Sequence, residues 1–215
     1  MTKEKVAEAN FINAALEYKI RSIDADKKFW MIRTKKGFFF QEFIAGKFVA
    51  LGWNTITQET DFGKSQEENL KDSIKNWYGD SRPAGAINKC KSFIFDIQEG
   101  DYILIPNSGS EKIAIARAGE YYEDEKKDVR DELAVIPKID NEEKEILQVQ
   151  CPYRKRRHIE VLKIISPKLM SYNLRQAISN YHGLSNLDKY GEDILNCLYD
   201  CYIYQDNLNI AINVK

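Results

Sequence analysis

The 215-residue chain has no run of apolar residues near the roughly 18 needed to cross a bilayer. Its N-terminal Met1-Thr-Lys-Glu-Lys5 lacks the apolar stretch of a secretory signal. No membrane partner is expected of this segment, and the chain reads as cytoplasmic. Histidine is scarce: His158 and His182 are the two, and neither stands in a motif with a nucleophile or a metal ligand. The four cysteines, at 90, 151, 197 and 201, make no Cys-x-x-Cys pair and no Cys/His cluster, so they read as buried or incidental thiols rather than a zinc site. A glycine-rich phosphate loop and a Gly-x-Ser-x-Gly elbow are both missing. Charge of one sign is missing as well: 32 basic groups face 33 acidic ones, a net charge of −1, so only local electrostatics can select a partner.

What is present is enough apolar sequence, 43%, to build a full core without disulfide staples. Val6, Ala9, Ile12, Leu16 and Ile20 recur at helical spacing and predict an amphipathic helix within 1–28, either a core helix or an oligomerisation arm. The next stretch organises the chain. Residues 29–34 alternate as a strand, Phe38, Phe39, Phe40 and Phe43 form an aromatic helix or turn over 37–45, and a second strand over 47–52 ends on Trp53. These two strands are expected to floor a binding site, with the phenylalanines and Trp30 in the core.

Ser65-Gln-Glu-Glu68 reads as a capping box for a helix with Leu70, Ile74 and Trp77 on its core face, stopped by Gly79. Ile87, Cys90 and Ile94 predict another short helix. Residues 102–106 and 112–118 read as adjacent antiparallel strands around a polar loop. From 123 to 145 the chain is charge-dense and is expected to be an exposed, mobile excursion. Strands resume over 147–151 and 158–165. In the tail, Leu174 and Ile178 mark a short helix, Ser185-Asn-Leu-Asp188 caps a longer one, and 202–215 reads as a hairpin turning at 205–207. The fold class is α+β, with a β-rich unit over 29–165 and a helical extension over 166–215 that packs on it. The chain stops on a strand, as a piece of something longer would.

Trp53 beside Asn54 offers a stacking face and an amide for a base edge, and Tyr121 at a strand end could wall the same pocket. Arg154-Lys155-Arg156-Arg157 forms a basic cluster that could contact successive phosphates, with Lys36 a further candidate. Catalysis finds little support. Glu125-Lys-Lys127 and Glu142-Glu-Lys144 match part of a metal-dependent nuclease motif, but a chain with 30% charged residues produces such triplets by chance.

Trp30-Met-Ile-Arg33, Phe43, Val49-Ala-Leu-Gly-Trp53, Phe93, Gly100-Asp101 and Ile113–Tyr121 follow one another in an order that resembles the N-terminal domain of Mrr-type restriction and related prokaryotic defence proteins. That domain belongs with the PUA-like group, which includes EVE and YTH domains. The similarity spans about 29–165. It implies a partly open β-barrel flanked by helices that accepts a flipped or modified base in an aromatic pocket. Carried over, it points to Arg33, Thr34, Lys35, Trp53, Asn54, Pro106, Asn107 and Ser108, with Asn88 near the asparagine of the family's helix before Gly-Asp. The expectation is a non-enzymatic reader of nucleic acid, DNA ahead of RNA, in a restriction or antiviral system. It would need no cofactor and would act with a separate effector protein or a further C-terminal effector segment. A sensor for a small nucleotide or phage-derived ligand is the alternative, and a metal-dependent nuclease the third.

Overall fold

The computed structural model describes residues 20–140, 149–180 and 183–211. The helix expected over 4–20, His182, Glu142 and the first residues of the strand expected over 147–151 lie outside them; 149–151 form no strand. In chain order the elements are β1 (Arg21–Ile23), β2 (Phe29–Arg33), α1 (Phe40–Gly46), β3 (Phe48–Leu51), α2 (Glu67–Tyr78), α3 (Pro83–Lys91), β4 (Tyr102–Pro106) and β5 (Ile113–Glu123). They continue with α4 (Val129–Asp140), β6 (Lys155–Ile165), α5 (Tyr172–Asn180), β7 (Gly183–Asn186), α6 (Gly191–Leu198), β8 (Cys201–Tyr204) and β9 (Asn207–Ile210). The fold is α+β: a six-stranded sheet in the order β3-β6-β5-β4-β2-β7 curls into a half-barrel flanked by helices, and a smaller sheet is ordered β1-β8-β9.

β2 is buried on both faces because each face serves a different core. Trp30 and Ile32 join Phe39, Phe43, Val49, Ile103 and Phe93, whereas Phe29 and Met31 join Tyr102, Leu104, Leu174, Leu187 and Ile194. The period-2 alternation of a strand makes that division possible. The second core is built largely from the described residues of the tail, and β7 from that tail pairs antiparallel with β2 at the edge of the six-stranded sheet. The Gly100-Asp101 pair ties β2 to β4. Asp101 is buried and accepts from Lys28 N (3.1 Å), Gln98 N (3.0 Å) and Trp30 Nε1 (2.9 Å). That bond satisfies the indole of Trp30 in the core.

Several expectations are corrected. Residues 21–23 form a strand paired parallel with β8 rather than the end of a helix. β2 and β3 are not neighbours in the sheet; the curl brings their ends together, and Thr34 Oγ1 donates to Ala50 O at 2.6 Å. Ser65 lies in a 3-10 turn and does not cap α2, although Gly79 ends that helix in a left-handed conformation as expected. Trp77 is 49% exposed and not core. Ser185–Asn186 belong to β7, not to a helix cap. The charge-dense stretch contains the ordered helix α4. Among the described residues the expected terminal hairpin is formed by β8 and β9, with Gln205 and Asp206 both at positive φ in its two-residue turn, and 212–215 lie outside them.

Candidate functional site

The open edge of the half-barrel holds a cavity of about 920 Å³, within the range of small-ligand sites. Arg33, Thr34, Lys35 and Lys36 line it from the segment after β2, and Leu51, Gly52 and Trp53 from the end of β3. Tyr78, Ile136 and Tyr153 complete an apolar and aromatic wall. Lys89, Ser110 and Gly183 stand on the polar side.

The two backbone segments that frame this cavity are both left-handed. Lys35, Lys36 and Gly37 have φ of 47°, 54° and 85°, and Trp53 has φ 61°. A bulky aromatic residue in that region is an outlier that the surroundings must hold in place. Here the holders are charged and buried. Glu132 of α4, 5% exposed, accepts from Trp53 N (2.8 Å) through Oε1, and from Asn54 N (2.8 Å) and Tyr78 Oη (2.9 Å) through Oε2. From the other side Lys155 Nζ donates to Trp53 O (2.7 Å) and Ile56 O (2.8 Å). Gly52 is required because a Cβ there would stand 2.6 Å from Glu132 Oε1. Burial pushes the Glu132 carboxyl above its ordinary value, while the Asn54 and Trp53 N–H groups, the Lys155 charge and the Tyr78 hydroxyl pull it back. Burial likewise depresses the Lys155 ammonium.

This clasp reassigns the basic run. The run does not stand ahead of a strand, because β6 begins at Lys155 and its alternation turns Lys155 (0% exposed) and Arg157 (3%) inward. Arg157 donates to Gly119 O (2.8 Å), Phe93 O (3.2 Å) and Ile94 O (3.4 Å). Arg154 pairs with Glu123 at 2.7 Å; Arg156 pairs with Asp124 at 3.0 Å and lies over the Phe48 ring at 4.5 Å. All four cations of the run therefore have partners within the fold. Lys155→Met, which keeps the side-chain length but strips two buried carbonyls of their donor, should destabilise the fold by about 2–4 kcal/mol in urea unfolding.

Of the other expected site residues, Arg33, Thr34, Lys35, Lys36 and Trp53 converge on the cavity. Asn54 does not. It is 4% exposed, its Nδ2 donates to Asp128 O (2.7 Å) and Pro152 O (2.9 Å), and its Oδ1 accepts from Arg154 N (2.9 Å). Its amide is spent on the fold. Tyr121 donates to Glu123 at 2.7 Å and packs edge-on against Phe93, away from the cavity. Asn88 is exposed outside the lining, and its neighbour Lys89 faces in. Pro106, Asn107 and Ser108 are not in the lining, and the next residues of that loop, Gly109 and Ser110, are.

Sequence reasoning missed Tyr78, Lys89, Ser110, Glu132, Ile136 and Tyr153. For α4 a signal existed: Val129, Leu133, Ile136 and Ile139 recur at helical spacing with Glu132 beside them. Among the described residues no group of three His, Cys, Asp or Glu side chains could hold a metal, and no helix is long and apolar enough to cross a membrane. Glu125 of the nuclease-like triplet lies exposed in the turn before α4. Burial pushes the Cys90 thiol up to about 11, which keeps it protonated at neutral pH.

Residues 30–155 match the model of a family described as a domain of unknown function, DUF8426. No curated protein and no solved structure matches the chain.

Proposed function

We propose that this chain, a member of the DUF8426 family, is a recognition module that takes a nucleobase of a nucleic-acid strand into the cavity beside Trp53. The observation that carries the reading is the cavity's composition: Trp53, Tyr78 and Tyr153 on one wall, Arg33, Lys35, Lys36 and Lys89 on the other. Aromatic faces stack on any base and cations meet its phosphates, the pairing that single-strand readers use. A role in restriction or antiviral defence, with an effector acting beside it, follows from the resemblance to PUA-like reader domains of such systems. The buried Glu132–Trp53–Lys155 clasp fits a reader, because a stacking platform must be held rigid before its ligand arrives.

Base stacking is worth about 1–3 kcal/mol, so Trp53→Ala should weaken binding of a short single strand by roughly 5- to 150-fold. Trp53→Gly, which suits the positive φ, should bind as poorly while folding at least as well. Fluorescence anisotropy against strands of each base, paired with thermal unfolding, makes the test. Strand binding that is unchanged in both variants removes the base-pocket reading.

One observation favours a second reading, a free nucleotide as ligand. Burial of Lys155 and Arg157 leaves no row of cations from 154 to 157 for neighbouring phosphates. A reader of strands should show a salt slope that grows with strand length; a sensor for a mononucleotide should bind it with a shallow slope and ignore longer strands.

A further inference from the structure

The cavity is divided by chemistry, and its polar end has a construction of its own. Arg33 closes β2 opposite Gly183 of β7 in the sheet register. Its guanidinium donates through Nη2 to Ser110 Oγ, while its Nε is buried without a hydrogen-bond partner. No carboxylate among the described residues pairs with Arg33, and burial depresses its guanidinium with nothing opposing that effect. Arg33 is partly buried, and a desolvated donor left without an acceptor is costly unless a ligand completes it.

Lys89 reaches the same end from α3. Gly183 permits this, since a Cβ there would meet Lys89 Nζ at 3.1 Å and Cδ at 3.5 Å, and its φ of +70° suits glycine. The Lys89 ammonium has no hydrogen bond or ion pair among the described residues. Of the two acids in the lining, Glu132 is spent on Trp53, Asn54 and Tyr78 at the opposite end. Asp80 Oδ1 accepts from Arg82 N at 2.8 Å. The cavity is therefore cationic at Arg33 and Lys89 and aromatic at Trp53 and Tyr153, so a ligand that is apolar at one end and anionic at the other has one orientation in it.

We propose that Arg33 and Lys89, with Ser110 holding the guanidinium, form an oxyanion subsite for one phosphate of the bound nucleotide, which places its base against Trp53 and Tyr153. This rests on the base-pocket reading and adds the ligand's polarity to it. The chemistry is shared by a phosphodiester in a strand and the phosphate of a free nucleotide. A guanidinium meets either through paired N–H donors, which an ammonium complements as a point charge.

The test is calorimetric titration with the common nucleosides, their 5′-monophosphates and dinucleoside monophosphates, on wild type, Arg33→Gln, Lys89→Gln and Trp53→Ala. At least one monophosphate should bind roughly tenfold or more tightly than its nucleoside. That advantage should vanish in Arg33→Gln and Lys89→Gln while nucleoside affinity stays within about twofold, and Trp53→Ala should weaken both ligands. The dinucleoside monophosphate should keep the advantage, as expected of a strand. An advantage confined to the monophosphate would assign the subsite to a free nucleotide and overturn the strand source. Equal affinity of nucleoside and monophosphate, or parallel loss of both in the Arg33 and Lys89 variants, overturns the oxyanion subsite and leaves the base pocket standing. No binding by any of them overturns both.

Discussion

Glu132→Ala is expected to lower the unfolding free energy by about 3–5 kcal/mol, measured by urea denaturation. The carboxylate accepts three hydrogen bonds at 2.8–2.9 Å, and its removal leaves two backbone N–H groups and the Tyr78 hydroxyl without an acceptor inside the protein. It also takes from the buried Lys155 one of the opposite charges that support it, leaving that of Glu123. Trp53 is then free to leave its left-handed conformation, so ligand binding should fall with stability. Glu132→Gln keeps the volume and isolates the charge. Burial raises the Glu132 carboxyl above its ordinary 4.5, so the folded chain holds this proton more tightly than the unfolded chain does. The stability that the proton contributes is full below that ordinary value and is lost as pH rises through the raised one. Wild type should therefore lose stability relative to Glu132→Gln across that window. A wild-type minus Gln difference that is flat between about pH 4 and 8 would show the carboxyl to be unshifted.

Gly37→Ala should cost about 2–4 kcal/mol and release the cationic side of the cavity. At φ +85° an alanine is strained, and its Cβ would stand 2.5 Å from Asn107 C, 2.6 Å from Pro106 O and 2.7 Å from Asn107 O. Those are backbone atoms at the end of β4, where Pro106 is paired with Ile113, and they have little room to move. Relief would push the segment holding Arg33, Lys35 and Lys36 away from Ser110, so affinity should drop together with the melting temperature. Gly79→Ala is the control: its φ of +62° carries the same left-handed cost, but nothing lies within 4 Å of the added carbon. It should cost only about 1–2 kcal/mol and leave binding unchanged. Equal costs at the two positions would mean that the contact with Pro106 and Asn107 is not tight.

The α+β class, β2, the paired strands β4 and β5 and the terminal hairpin were legible in the sequence because alternation and turn chemistry are local signals. Five of the expected residues line the cavity: Arg33, Thr34 and Lys35 came with the resemblance, Lys36 from its charge beside them, and Trp53 from its place after a strand. In the sequence the Arg154–Arg157 run presents four adjacent cations as equivalent. Nothing local reveals that alternate members turn inward to carbonyls contributed by Trp53, Ile56, Phe93 and Gly119, roughly 35 to 100 residues away. The charge-dense stretch misled in the same way, since the value of Glu132 lies in contacts to Trp53 and Asn54, 79 and 78 residues earlier.

By itself the sequence determined the strands β2, β3, β4 and β5, which aromatic residues build the core beneath α1, and that Trp53 follows a strand beside a turn. Only the tertiary structure decided how Trp53 is held and what surrounds it. Its left-handed backbone is held by a carboxylate from α4 and an ammonium from β6, and its cavity is closed by Tyr78, Tyr153 and Lys89 from three further segments. Periodicity is written in neighbouring residues. The pairing of buried charges and the walls of a cavity exist only once the curled sheet has brought distant segments together.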